Sequence, residues 1–135
     1  MRGIAVLCVL LVASGCAGGN GNTTEKSAPI GDPARGEVVF AEQGCGICHT
    51  FKAAGSTRNQ GPNLDEVARR YDAAFIRESI VDPLVYLEKG VSGSIGGAKP
   101  YRPVMPTYGA GATTDANRLT DQQVADLVAF IEQGR

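Results

Sequence analysis

The pentapeptide Cys45-Gly46-Ile47-Cys48-His49 contains two of the four cysteines and the single histidine of this 135-residue chain. Two cysteines separated by two residues occur in redox disulfides, in zinc sites and in covalent haem attachment sites, where a histidine directly follows the second cysteine. These three interpretations require different surroundings, so the sequence on either side of the pentapeptide distinguishes between them.

The surrounding sequence argues against two of the three interpretations. A structural zinc ion is held by about four protein ligands, but residues 32–135 contain no cysteine or histidine outside the pentapeptide. A thioredoxin-like dithiol follows a strand in a βαβ unit, whereas no segment of this chain shows the alternating pattern of a strand. Covalent attachment of one haem c is therefore the favoured interpretation, and the redox dithiol is kept as an alternative.

In the haem interpretation, the thiols of Cys45 and Cys48 form thioethers with two vinyl groups, and His49 binds the iron as an axial ligand. The chain has no second histidine, and Met105 is its one methionine once Met1 leaves with the export signal. A methionine can simply fill a gap in a core, but Met105 lies beside a proline in an irregular segment. A thioether is a soft, neutral ligand that raises the potential of haem iron, so we predict Met105 as the second axial ligand.

The N-terminal segment has the pattern of an export signal. Arg2 precedes an apolar run, Ile4 to Ala13, that is too short to span a bilayer as a helix. The ending Ser14-Gly15-Cys16 resembles the cleavage site of bacterial lipoproteins, in which the cysteine becomes the lipidated first residue. We expect residues 1–15 to be a lipoprotein signal peptide and Cys16 to carry the lipid, with secretion without lipidation as the alternative.

The rest of the chain is predicted to be a tether followed by one all-α domain. Residues 16–31 are polar and rich in glycine, which is typical of a flexible linker, and residues 32–135 form the folded domain. Residues 51–62 and the long glycine-rich stretch from Gly90 to Thr114 are predicted to be loops. The predicted helices cover residues 33–43, 63–69 and 72–81 and a last segment that begins at a capping box of Thr120 and Gln123.

These features resemble the class I c-type cytochromes from about Asp32 to Gly134. The haem motif and the segment Gly61-Pro62-Asn63-Leu64 match motifs of that family, and Gly36 and Phe130 match the positions where its first and last helices cross. The resemblance implies a cytochrome c fold in which three to four helices wrap around one covalent haem.

The resemblance also implies roles for individual residues. In the family, the carbonyl group at the position of Pro62 accepts a hydrogen bond from Nδ1 of the haem histidine, here His49. The side chain at the position of Leu64 packs on the haem. Asp82-Pro83 and Met105-Pro106 are similar to a bacterial subset of cytochrome domains that are fused to terminal oxidases or serve them.

The expected function is to carry single electrons between respiratory donor and acceptor proteins, such as a terminal oxidase, without acting as an enzyme. The lipid would hold the domain at the extracytoplasmic face of a bacterial membrane. A formal net charge of −1 does not indicate a basic, nucleic-acid-binding surface. Three alternatives remain open: a haem subunit fixed in a larger respiratory complex, a peroxidase or gas sensor with a labile Met105, and a thiol–disulfide oxidoreductase.

Overall fold

The computed structural model describes residues 28–85 and 105–135, which are mostly helical. The α-helices are α1 (Pro33–Glu42), α2 (Leu64–Arg70), α3 (Ala73–Val81) and α4 (Asp121–Ile131). One antiparallel ladder pairs β1 (Thr50–Phe51) with β2 (Ser56–Thr57). Single 3₁₀ turns lie at Cys45–Ile47, Gly109–Gly111, Asp115–Asn117 and Glu132–Gly134. None of the helices in these two ranges has the length and hydropathy that a membrane span requires.

Several predictions fall outside the described residues. They concern the signal peptide over residues 1–15, the lipid on Cys16, most of the tether over residues 16–31, and the part of the glycine-rich stretch between Gly90 and Pro100. These four remain predictions from the sequence.

Each of the four helices begins directly after a residue whose side chain caps it. Asp32, Asn63 and Asp72 each accept a hydrogen bond from a main-chain N–H in the first turn of α1, α2 and α3. Thr120 and Gln123 form the reciprocal capping box of α4. These bonds satisfy N–H groups that have no partner within a helix. The predicted helix bounds are confirmed to within one residue at each of these starts.

Helices α1 and α4 cross with their backbones in direct contact. A Cβ built on Gly36 would overlap the main-chain carbonyl group of Asp126, so only glycine allows this approach. Gly31 approaches the carbonyl group of Ala125 in the same way. Packing on α4 therefore starts before Asp32, where the sequence predicted the folded domain to begin, because the last residues of the predicted tether already lie on the helix.

The buried carboxylate of Asp126 holds α1 and α4 together where they cross. The Asp126 side chain is 3% exposed. It accepts hydrogen bonds from Nε of Arg35 at 2.8 Å and from the main-chain N–H of Asp32 at 2.7 Å. Gln122 Nε2 donates both to Asp126 and to the carbonyl oxygen of Ile30, at 2.8 Å each. The hydrogen bond from Arg35, with the other donors, lowers the pKa of Asp126 to about 2.

Three phenylalanine rings from separate elements form the centre of the core. The ring centroids of Phe40, Phe51 and Phe130 lie 5.7, 5.6 and 5.2 Å apart, in tilted and edge-on pairs that stabilise a core beyond simple area burial. Phe51 is completely buried, although the sequence predicted a loop there. The prediction missed the β1–β2 ladder because strands of two residues are too short to show alternation.

We expect Asp126→Asn to lower the free energy of unfolding by about 2 kcal/mol at neutral pH, because charge-assisted hydrogen bonds to a buried site are lost. The pKa of this carboxyl is lowered, so its stabilising contribution is complete above its ordinary pKa of 3.8 and disappears as the pH falls through about 2. Denaturant unfolding of the wild type and of Asp126→Asn should show that the difference between their free energies of unfolding shrinks as the pH falls from above 3.8 to about 2.

Asp115→Asn is the matched control, because the Asp115 side chain is fully exposed. It should change the free energy of unfolding by less than about 0.5 kcal/mol. Equal stability of Asp126→Asn and the wild type at neutral pH would show that the buried carboxylate does not fasten the crossing.

Candidate functional site

Helix α1 leads into the pentapeptide through a glycine turn. Gly44 follows the helix with φ +66°, a left-handed conformation that costs glycine little. Cys45–Ile47 then form one 3₁₀ turn. The N–H groups of Cys48 and His49 both donate to the carbonyl oxygen of Cys45, at 3.2 and 3.1 Å. This turn carries both thiols and the imidazole on one tight loop.

Both cysteines of this loop are free thiols. Cys45 packs against the hydrophobic core, and burial raises its pKa to about 11. Cys48 lies closer to the surface, where its Sγ is 3.7 Å from Oε1 of Gln60. Thioether formation with haem vinyl groups uses one free thiol for each bond, and both thiols are available in this arrangement.

His49 is held as a neutral imidazole with one nitrogen free. The His49 residue is buried, with 8% of its surface exposed. Its Nδ1 lies 2.8 Å from the carbonyl oxygen of Pro62. A carbonyl oxygen only accepts, so Nδ1 carries the proton and Nε2 keeps its lone pair. Burial lowers the pKa of His49, and the Pro62 carbonyl opposes this in part. Nε2 is therefore an available ligand for iron at neutral pH.

A short connection brings Pro62 back to the pentapeptide. The N–H of Gly61 donates to the carbonyl oxygen of Cys48 at 2.8 Å, which ties this connection to the haem motif. Asn63 then caps α2. Leu64 is the first residue of α2 and is 9% exposed. The resemblance assigned roles to Pro62 and Leu64. Pro62 lies on the connection between His49 and α2, and Leu64 is the residue at which α2 begins.

Met105 begins the second described range. Its side chain is partly buried and packs against the hydrophobic core. The hydrogen bonds of the pentapeptide loop and of Gly61 and Pro62 bring Cys45, Cys48, His49 and Pro62 together. The positions of Leu64 and Met105 are described by their packing in or against the hydrophobic core. The ligand role of Met105 and the haem contact of Leu64 remain predictions.

Tyr108 belongs to this region but was not identified from the sequence. The residue is 6% exposed, and its N–H donates to the carbonyl oxygen of Ile80 in α3 at 3.2 Å. Burial raises the pKa of Tyr108 to about 12, with a further contribution from the charges that Cys45 and Cys48 would carry as thiolates. A single aromatic residue among glycines and prolines has no periodicity, so its short spacing from Met105 was the one signal by which the sequence could have indicated it.

These residues fit covalent haem attachment. Two cysteine thiols and a neutral imidazole, whose Nε2 carries a lone pair for a metal ion, lie on one turn. A family model for cytochrome c matches residues 33–135. The chain belongs to the cytochrome c family. A comparison with curated proteins gives no match.

Membership of the cytochrome c family confirms two of the predictions. The fold is the all-α cytochrome c fold, with four helices and one two-stranded ladder in the described residues. The cofactor is covalently attached haem c, for which Cys45 and Cys48 are present. The family supports a role as a haem-based electron carrier. The thioredoxin-like alternative required a strand before the pentapeptide, where the structure has helix α1.

Proposed function

We propose that this cytochrome c is a membrane-tethered carrier that passes single electrons between respiratory proteins, with His49 and Met105 as axial ligands. The haem supplies one iron that exchanges a single electron between Fe(II) and Fe(III). The observation that carries the proposal is the 2.8 Å contact between Nδ1 of His49 and the carbonyl oxygen of Pro62. This contact leaves Nε2 free to bind iron beside two free thiols.

The first half of the proposed site is built by neighbouring residues. Cys45 begins one 3₁₀ turn, Cys48 directly follows it and His49 comes next, so two thioether bonds from these cysteines would hold the haem close to the imidazole. The Pro62 carbonyl keeps the proton on Nδ1 and restrains the ring, which is the usual task of a hydrogen-bond partner behind a metal ligand.

The second half of the proposed site is the segment that begins at Met105. Tyr108 supports this segment, since its side chain is buried and its N–H is bonded to Ile80 of α3. A thioether ligand favours a higher potential than a second imidazole does. With both axial positions filled by side chains, no position remains for a substrate on the iron, which favours a carrier over an enzyme.

We expect the haem to stay with the protein through acid–acetone extraction and to show sharp α and β bands after dithionite reduction. The oxidised protein should show the weak near-infrared sulfur-to-iron band. Met105→Ala should abolish this band without releasing the haem, because the thioether bonds remain, and should make the reduced iron bind carbon monoxide. Leu84→Ala is the control, since Leu84 is 41% exposed, and it should keep the band.

Two outcomes would overturn parts of this proposal. A colourless protein from cells that attach haem c would contradict the assignment of Cys45, Cys48 and His49. Ready binding of carbon monoxide by the reduced wild type would contradict tight ligation by Met105 and favour the peroxidase or gas sensor.

The membrane tether is the second part of the proposal. The chain enters the domain at Ile30, whose carbonyl oxygen bonds to Gln122 of α4, and at Gly31, which packs on α4; Cys45 follows the other end of α1. Ten helical residues separate the two ends by about 15 Å. A lipid on Cys16 would therefore anchor the domain at the end remote from the haem motif and leave that motif accessible to partners.

Cys16→Ser should move the haem-loaded protein from the membrane fraction to the soluble fraction, with its visible spectrum unchanged. Cys8→Ser is the matched control, because Cys8 lies in the predicted signal peptide and is absent from the mature protein; it should leave the protein in the membrane fraction. Retention of Cys16→Ser on salt-washed membranes, or a soluble wild type, would contradict the lipid anchor.

The surface around Ile47 is the proposed contact with respiratory partners. Ile47 is 69% exposed between the two haem-binding cysteines. A groove of about 300 Å³ beside it is lined mainly by apolar or small residues, which include Phe40, Ala41 and Ala54. Ile47 and this groove form a small exposed apolar surface next to the haem motif. Docking between redox proteins is weak and small in area, so one apolar side chain at its centre is expected to matter.

Ile47→Lys should lower the rate constant for electron transfer to oxidase-containing membranes by about tenfold, which corresponds to losing the burial of one apolar side chain. Ile30→Lys is the control, because Ile30 is 90% exposed but lies before α1, and it should leave the rate unchanged. The wild-type rate should depend only weakly on ionic strength. A steep fall with salt would contradict apolar docking, and a stable oxidase complex recovered in detergent would favour a fixed subunit.

A further inference from the structure

Gly61 lies against the ring of His49 in a space that no side chain could occupy. A Cβ built on Gly61 would lie 2.6 Å from Cε1, 2.8 Å from Nδ1 and 2.9 Å from Nε2 of the imidazole. Real Cβ atoms essentially never come within 3.0 Å of another heavy atom in this way. The φ angle of Gly61 is not among the positive values found in the described residues. The requirement for glycine is therefore one of space and not of backbone conformation.

The backbone around Gly61 is fixed on both sides. The Gly61 N–H donates to the carbonyl oxygen of Cys48 at 2.8 Å. The carbonyl oxygen of the next residue, Pro62, accepts from Nδ1 of His49, also at 2.8 Å. A side chain at Gly61 could therefore be accommodated only if one of these hydrogen bonds broke or if the imidazole turned.

A single hydrogen bond does not fix the plane of an imidazole. The bond from Nδ1 of His49 to Pro62 determines which nitrogen carries the proton, but it allows the ring to tilt and to turn about that bond. The Cβ position of Gly61 lies above the face of the ring near Cε1, because a point between 2.6 and 2.9 Å from all of Cε1, Nδ1 and Nε2 cannot lie in the ring plane. This contact restrains the tilt that the hydrogen bond leaves open.

We propose that Gly61 is a positioning residue for His49, because its missing side chain lets the backbone close on the imidazole and set the orientation of the ring plane. The inference rests on the proposed ligation of the haem iron by His49. The backbone contact and the Pro62 carbonyl then act together: the carbonyl fixes the proton, and Gly61 fixes the plane of the ring.

The orientation of an axial imidazole can be measured directly. In the oxidised protein, the ring plane determines how unpaired spin is distributed over the haem edge. It therefore determines the order and spread of the haem-methyl resonances in proton NMR, and it affects the g values in electron paramagnetic resonance. A substitution that only lowers stability does not change these signatures.

Gly61→Ala in the haem-loaded protein should change the order or spread of the haem-methyl resonances and shift the g values. Gly55→Ala is the matched control, because an alanine is strained at its φ of +63° while its new Cβ would have no atom within 4 Å. It should lower the stability of the protein but leave both spectra as in the wild type.

The outcomes separate this inference from the proposed function. A wild-type spectrum without histidine ligation would contradict the proposed function itself. Histidine ligation in the wild type together with unchanged spectra of Gly61→Ala would overturn the role of Gly61 alone.

If Gly61→Ala fails to acquire haem, the reduced wild type decides the question. A nuclear Overhauser effect between an Hα of Gly61 and Hε1 of His49 is expected, because Gly61 lies against the face of the ring beside Cε1. Absence of this effect in a fully assigned spectrum would overturn the inference.

Discussion

The backbone contact between α1 and α4 is the constraint on which the haem site depends. Gly36 permits the contact, and Asp126 fastens it with a buried, charged network. One turn further along α1, Phe40 packs on Phe130 of α4. The haem motif starts three residues after α1 ends, so a shift of this helix would carry Cys45 with it. The first and last helices therefore fix where the attachment loop can lie.

The core around this loop is small and concentrated. The chain contains four phenylalanines and no tryptophan, and three of these phenylalanines meet in one cluster. Phe51 completes the cluster two residues after His49, and so the chain leaving the haem motif is pulled into the core by the same contact that joins α1 to α4. A domain of this size buries limited apolar surface by itself. A covalently held haem adds a large apolar group to such a core.

Local signals in the sequence were sufficient for the helices and the cofactor. Capping residues such as Asp32 and Thr120 act within one turn, and the haem motif places three functional groups within five residues, so neither depends on distant parts of the chain. The features that the sequence did not reveal depend on contacts that have no repeating sequence pattern. Phe51 follows a ladder too short for periodicity and is buried against Phe40 and Phe130, and Tyr108 is buried where its segment docks against α3.

The two residues that hold the imidazole restrict each other as well as His49. Gly61 provides the space beside the ring, but a glycine alone would leave the backbone free to adopt many conformations. The proline that follows limits the residue before it to extended conformations and fixes its own φ. Pro62 also has no N–H, so its carbonyl is the main-chain group that it offers, and this group bonds to His49. The order glycine then proline therefore combines closeness to the ring with rigidity, which neither residue provides alone.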